Sequence, residues 1–89
     1  MSIFIDPPMW WHLDLWWGHM VSDESYDELH VFAEQLGVPR RGFDRDHYDI
    51  PEHLHDAALE AGALLITSRE LVVRLTSAGL RRPKGRVSI

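Results

Sequence analysis

The segment of residues 43–49 contains several side chains that are suited to metal binding and to acid–base chemistry. It contains three carboxylates and one imidazole, from Asp44, Asp46, His47 and Asp49. Carboxylate oxygen and imidazole nitrogen bind divalent metals, and imidazole also transfers protons near neutral pH. The same residue types are common in solvated loops, and Asp49 also fits the N-cap of a following helix. We interpret the segment as a candidate site, and the candidate metal ligands are Asp6, Asp44, Asp46 and His47.

Two other segments supply candidate binding residues. Residues 9–20 hold all four tryptophans and two histidines without a clean period, which predicts an ordered loop or an irregular helix. Its indoles are expected to pack in the core, against a second subunit or around a flat ligand. Ser68 and Arg69 begin a predicted helix, whose free N-terminal amides favour binding of an anion. Helix capping is the alternative explanation for the serine. The candidate ligand-binding residues are Asp6, Trp10, Trp17, His19, Asp46, His47, Tyr48, Ser68 and Arg69.

Capping signals and apolar spacing predict about three helices. Ser25 and Glu28 form a capping box before the first, Asp49 is expected to cap the second, and Thr67 begins the third. Strands are predicted at residues 2–5, 38–43 and 63–66. This order predicts an α/β fold: a small open sheet in two or three layers, mostly parallel, with a Trp-rich loop after the first strand. The carboxyl ends of such strands would bring Asp6, the 43–49 segment and Ser68 to one edge.

Composition limits the classes of function. The 89 residues predict one domain, residues 1–80, followed by a flexible basic tail at residues 81–89. Four of the nine basic residues lie in that tail, so the remaining acidic body disfavours nucleic acid as a partner. There is no cysteine, which excludes disulfides and a thiol nucleophile. Without a signal-peptide pattern or a long apolar run, we expect a cytoplasmic protein that does not bind membranes.

Short motifs spread over nearly the whole chain carry a resemblance to a known family. They include Asp6-Pro7-Pro8, Asp46-His47-Tyr48-Asp49 and Ser68-Arg69-Glu70. With these motifs the chain resembles a family of short bacterial and phage proteins catalogued as domain of unknown function 4031, which has no activity to carry over. A weaker resemblance is to PIN-like nucleases, whose first strand ends in a metal-binding Asp, matched here by Asp6. Ser68-Arg69 stands where that pattern has an acid.

Three functions remain open. The first is a module that binds a phosphorylated or otherwise anionic small molecule such as a nucleotide, with Arg69 as its clamp. The second is a metal-dependent phosphoester hydrolase of PIN-like type, with a divalent metal as cofactor. The third is a structural protein that forms homo-oligomers through the Trp-rich loop. We favour the first, because the acidic ligand set is incomplete for a nuclease and no phosphate-loop, zinc-protease or serine-nucleophile motif is present.

Overall fold

The computed structural model describes residues 2–83, which form an α/β fold around a six-stranded mixed sheet. The strands are β1 (Ile3–Ile5), β2 (Trp10–His12), β3 (Leu15–Ser22), β4 (Phe43–Asp44), β5 (His47–Pro51) and β6 (Leu64–Leu65). The helices are α1 (Tyr26–Leu36), α2 (Glu52–Glu60) and α3 (Ser68–Ser77), and a 3-10 turn spans Arg40–Gly42. The predicted α/β class and the predicted three helices are confirmed for this part of the chain. None of these helices is long and apolar enough to cross a membrane.

The strand directions differ from the prediction of a mostly parallel sheet. The order is β4-β5-β3-β1-β6, and β2 pairs with the first half of β3. Within residues 2–83 the β1–β6 pair is the parallel one, and the other pairs are antiparallel. The prediction was wrong because two tight turns reverse the chain, at Leu13-Asp14 and at Arg45, and these residues have positive φ. The predicted Trp-rich loop is therefore the β2–β3 hairpin, in which Trp10 faces Trp17 and Trp11 faces Trp16.

The helices begin and end where short-range signals place them, with one exception. Ser25 Oγ accepts a hydrogen bond from the Glu28 amide before α1, and Thr67 and Glu70 form a capping box at α3. The exception is α2, which starts after Pro51 without a side-chain cap. The predicted capping role of Asp49 is thus wrong, because Asp49 belongs to β5. The predicted strand at residues 38–43 is also wrong, since the 3-10 turn occupies its second half up to Gly42 and β4 begins only at Phe43.

The two faces of the sheet are covered unequally. Strand alternation directs Ile5, Met20 and Ile50 to one face, where they pack with Leu29 of α1 and Ala58 of α2. On the opposite face Phe4 and Val21 pack with Leu71 and Leu75 of α3. The same face continues beyond α3 through Trp17, His19, His47 and Asp49, which are only partly buried. The fold therefore has three layers and leaves a half-open surface across β3 and β5.

The first two residues after the predicted domain boundary at residue 80 contact the body of the domain. Arg81 and Arg82 both donate hydrogen bonds to the buried carboxylate of Asp46. Residues 84–89, which belong to the predicted flexible tail, lie outside the described residues.

Gly18 is required where β3 passes Asp6. A Cβ at Gly18 would lie 2.7 Å from the Asp6 backbone oxygen and 3.2 Å from Asp6 Oδ1. Gly18→Ala should therefore lower the free energy of unfolding by about 2 kcal/mol, measured by urea denaturation, because backbone on both sides must move. Gly42→Ala is the control, since its nearest contact is a Val38 methyl at 3.3 Å that can shift. Equal losses in the two variants would contradict this account.

Candidate metal centre

Strand register brings His19, His47 and Asp49 together on the half-open face. His19 of β3 and Asp49 of β5 are direct cross-strand partners. His47 lies two residues before Asp49, on the same face of β5. One ligand atom from each of the three side chains lies within 4.8 Å of the other two, and the imidazole centroids are 5.1 Å apart. This spacing suits three ligands of a single ion.

A buried carboxylate orients the imidazole of His19. Asp6 is 1% exposed, and its Oδ2 lies 2.9 Å from His19 Nδ1. The His19 amide donates to Asp6 Oδ1 at 2.5 Å, and Ser68 Oγ donates to Oδ2 at 2.7 Å. Because Nδ1 is engaged, Nε2 is the His19 nitrogen left to bind a ligand. A carboxylate behind the imidazole is the usual second partner of a metal-bound histidine.

His47 is held in the same way by Asp46. Its Nδ1 lies 2.8 Å from Asp46 Oδ1, and the Asp46 side chain is fully buried. The other carboxylate oxygen accepts hydrogen bonds from the Arg82 amide at 2.8 Å and from Arg81 Nη1 at 3.3 Å. Residues at the C-terminal end of the described chain therefore complete the support of His47, whose Nε2 faces Asp49.

Asp49 supplies an oxygen without a satisfactory partner. Its Oδ1 lies 3.1 Å from His47 Nε2. The atom is nevertheless buried and has no hydrogen bond of acceptable geometry with any residue that the structure describes. Buried carboxylate oxygens ordinarily have such a partner. A cation between Asp49 and the two imidazoles would satisfy this oxygen.

Hydrogen bonding sets the charge of the two orienting carboxylates. Burial raises the pKa of Asp6, but hydrogen bonds from His19 and Ser68 outweigh burial and hold the pKa below its usual value. Burial likewise opposes the ionisation of Asp46, and His47, the Arg82 amide and Arg81 lower its pKa overall. Burial lowers the pKa of His47, whereas Asp49 and Asp46 more than offset it and raise that pKa. Two ionised carboxylates near neutral pH make the surroundings of both imidazoles attractive to a cation.

Two cavities reach the cluster, and both are lined by His19, Arg45 and His47. The larger has a volume of about 420 Å³ and is also lined by Trp10, Asp44 and Asp49. The smaller, of about 230 Å³, extends to Asp6, Ser68, Arg81 and apolar residues of α3. The Arg45 guanidinium pairs with Asp44 at 3.1 Å. A small ligand can therefore approach the cluster beside a cationic side chain.

The structure brings most of the predicted site residues to this cluster. Asp6 and Asp46 hydrogen-bond to the imidazoles of His19 and His47, and Ser68 hydrogen-bonds to Asp6. Trp10 lies above His19, with parallel rings whose centroids are 5.9 Å apart. Asp44 is exposed and lines the larger cavity without joining the ligand cluster.

Three predicted binding residues lie elsewhere. Tyr48 is 1% exposed in the core on the opposite face, where its hydroxyl lies 2.8 Å from His30 Nδ1. Arg69 is exposed and lines neither of the two cavities described above. Trp17 lines a separate cavity of about 530 Å³.

Sequence reasoning left Asp49, Arg45 and His55 out of the predicted ligand-binding and metal-binding residues, although Asp49 and Arg45 lie in the candidate segment 43–49. Asp49 was assigned to a helix cap, although the pattern His47-x-Asp49 would place both side chains on one face of a strand. His55 Nε2 donates a hydrogen bond to the Asp6 backbone oxygen at 3.0 Å, because a carbonyl oxygen can only accept. Only tertiary structure reveals this contact, because the two residues are far apart in the chain.

Comparison with known proteins identifies a family. A family described as "Protein of unknown function (DUF4031)" matches residues 3–78, and the chain belongs to this family. The matched region contains the three cluster residues and both orienting carboxylates, and it ends before Arg81. The searches of curated proteins and of solved structures found no match. The weaker resemblance to PIN-like nucleases stays a prediction.

Asp6 should make the stability of the fold sensitive to acid. Because its folded pKa lies below the unfolded value of about 3.9, its contribution is present above that pH and is lost as pH falls through the folded pKa. Asp6→Asn should cost on the order of 2 kcal/mol at pH 7 and flatten the acid limb of the stability curve. Urea unfolding between about pH 2 and pH 7 measures both effects.

The control is Asp56→Asn, at an exposed position of α2, which should leave the curve unchanged. Acid dependence that remains in Asp6→Asn should include contributions from Asp46 and Asp44, whose pKa values are also lowered. An unaltered acid limb in Asp6→Asn would contradict the assigned role of this carboxylate.

Proposed function

We propose that this protein is a divalent-metal-binding domain that holds one ion through His19, His47 and Asp49. The observation that carries the proposal is the shared arrangement of the two imidazoles. Each is hydrogen-bonded at Nδ1 to a buried carboxylate, which leaves Nε2 as the nitrogen for an ion, and one ligand atom of each lies within 4.8 Å of an Asp49 oxygen. Such paired support is what fixes the orientation of metal-bound histidines.

The donor set favours a transition metal over magnesium or calcium. Two imidazole nitrogens and one carboxylate oxygen suit Zn²⁺, Mn²⁺ or Fe²⁺, whereas Mg²⁺ and Ca²⁺ prefer oxygen ligands. Of the four predicted metal ligands, this assignment retains His47. It gives Asp6 and Asp46 the role of orienting carboxylates, because both are bonded to imidazoles and are buried.

An anionic small molecule is the ligand that such a centre would take. Three protein ligands leave coordination positions open, and the 420 Å³ cavity lies in front of them. A phosphate group at the ion would also lie beside the guanidinium of Arg45. This retains the predicted binding of a phosphorylated molecule and replaces Arg69 with Arg45 as the cationic contact.

Phosphoester hydrolysis is the second candidate function. Catalytic zinc sites commonly have three protein ligands and keep a fourth position for water, whose pKa the metal lowers. The cluster has that number of ligands and an accessible cavity. An ion held by His19, His47 and Asp49 would supply an activated water as the nucleophile for a phosphoester. Arg45 would stabilise the additional negative charge.

Metal binding is tested by titration of the purified protein with Zn²⁺ and Mn²⁺. We expect one ion per chain and, at about 100 times the dissociation constant, a rise in the unfolding temperature of roughly 10 °C. His19→Ala and Asp49→Ala should abolish the rise, because each removes one of three ligands. His53→Ala is the matched control, since His53 is exposed and lies outside the cluster. An equal rise in His19→Ala and in the wild type would exclude this site.

Hydrolysis is tested with bis(4-nitrophenyl) phosphate and the metal-loaded protein. We expect metal-dependent release of nitrophenolate that Asp49→Ala abolishes. Arg45→Ala should lower turnover about tenfold or more while metal affinity is retained, because Arg45 contacts the substrate and not the ion. Stoichiometric metal without any turnover would reject the hydrolase and leave the binding function.

A further inference from the structure

A third cavity adjoins the metal centre at the edge of β5. Its volume is about 530 Å³, and it lies between the β2–β3 hairpin and the turn around residues 37–42. Trp10 and Asp49 line both this cavity and the 420 Å³ cavity in front of the cluster. The two cavities therefore lie side by side, and Trp10 and Asp49 form their shared wall.

The walls of this third cavity are largely apolar. Its apolar lining consists chiefly of Trp10, Leu13, Trp17, Val38, Pro39 and Leu54. Trp17 Nε1 already donates to the His12 backbone oxygen at 2.7 Å, so its ring presents apolar surface to the cavity. The volume lies within the usual range of small-molecule sites, and flat rings are the groups that indole and proline walls accommodate best.

We propose that the ligand of the metal centre is a flat aromatic molecule that carries a phosphate or similar dianion. The aromatic group occupies the Trp10–Trp17 cavity, and the anionic group reaches the ion beside Arg45. This inference rests on the proposed metal function and names the class of molecule that the centre binds. The observation that supports it is that an apolar cavity lies directly beside the cavity in front of the cluster, which Arg45 lines, with Trp10 and Asp49 shared by both.

Binding of three probes to the zinc-loaded protein tests this inference. Phenylphosphonate, methylphosphonate and inorganic phosphate share the anionic group, and the phosphonates cannot be hydrolysed at their C–P bond. By calorimetry we expect phenylphosphonate to bind about tenfold tighter than the other two, because only its ring fills the apolar cavity. Adenosine monophosphate and phenyl phosphate form a second pair, and the tighter of the two assigns either a nucleotide or a simple aryl phosphate.

Two variants and one control locate the aromatic group. Trp17→Leu and Leu13→Asp should each reduce the preference for phenylphosphonate over methylphosphonate to about threefold or less, with zinc affinity unchanged; both probes carry the same anionic group, so the charge that Leu13→Asp adds cancels from this ratio. Trp16→Leu should keep the full preference, because Trp16 packs against Trp11 on the other face of the hairpin and does not line the cavity. Leu13 lies at the exposed turn, so Leu13→Asp tests the cavity without altering the core.

Equal affinities for phenylphosphonate and methylphosphonate in the wild type would overturn the inference while the metal function stands. A preference that survives in both Trp17→Leu and Leu13→Asp would also overturn it. Absence of zinc binding would overturn the proposed metal function and this inference with it. The zinc titration therefore separates failure of the aromatic site from failure of the metal site.

Discussion

The buried carboxylate of Asp6 is the interaction on which the arrangement depends. A charge that is 1% exposed is tolerated only when its hydrogen bonds are satisfied. The Asp6 carboxylate is hydrogen-bonded to the amide and imidazole of His19 and to the hydroxyl of Ser68. Its backbone oxygen accepts a hydrogen bond from His55. One residue thus ties β1 to β3, α2 and α3. Gly18 leaves the space in which β3 can approach so closely.

Unequal covering of the sheet leaves part of one face accessible to a ligand. Two helices bury one face, whereas α3 covers only part of the other. Strand alternation then places His19, His47 and Asp49 on the part that remains half open, close to buried carboxylates that fix both imidazoles. Asp46 repeats for His47 what Asp6 does for His19, with Arg81 and Arg82 as its further partners. The site is therefore preorganised by the same contacts that hold the layers together.

Local signals in the sequence predict the α/β class, α1 and α3, because caps and apolar spacing act over a few residues. Strand direction was not predictable in the same way, since it depends on the turns at Leu13-Asp14 and Arg45, where non-glycine residues adopt positive φ. Asp6, Asp46 and His47 were predicted as site residues from their types, and the structure places all three at the cluster. The proposed role of His47 as a ligand follows the prediction, whereas those of Asp6 and Asp46 differ from it, because register and burial decide whether a carboxylate can reach an ion or instead supports an imidazole. Asp49 shows this most clearly: as a strand residue it faces His19.

X-ray absorption spectroscopy of the zinc-loaded protein tests the central claim most directly, because it reports the atoms bound to the ion. The account predicts two imidazole nitrogens at roughly 2.0–2.1 Å together with oxygen from a carboxylate. It also predicts that His19→Ala, with enough zinc added to load it, shows one imidazole fewer. A shell of oxygen atoms alone, or an unchanged imidazole count in His19→Ala, would contradict the claim that His19, His47 and Asp49 form a metal centre.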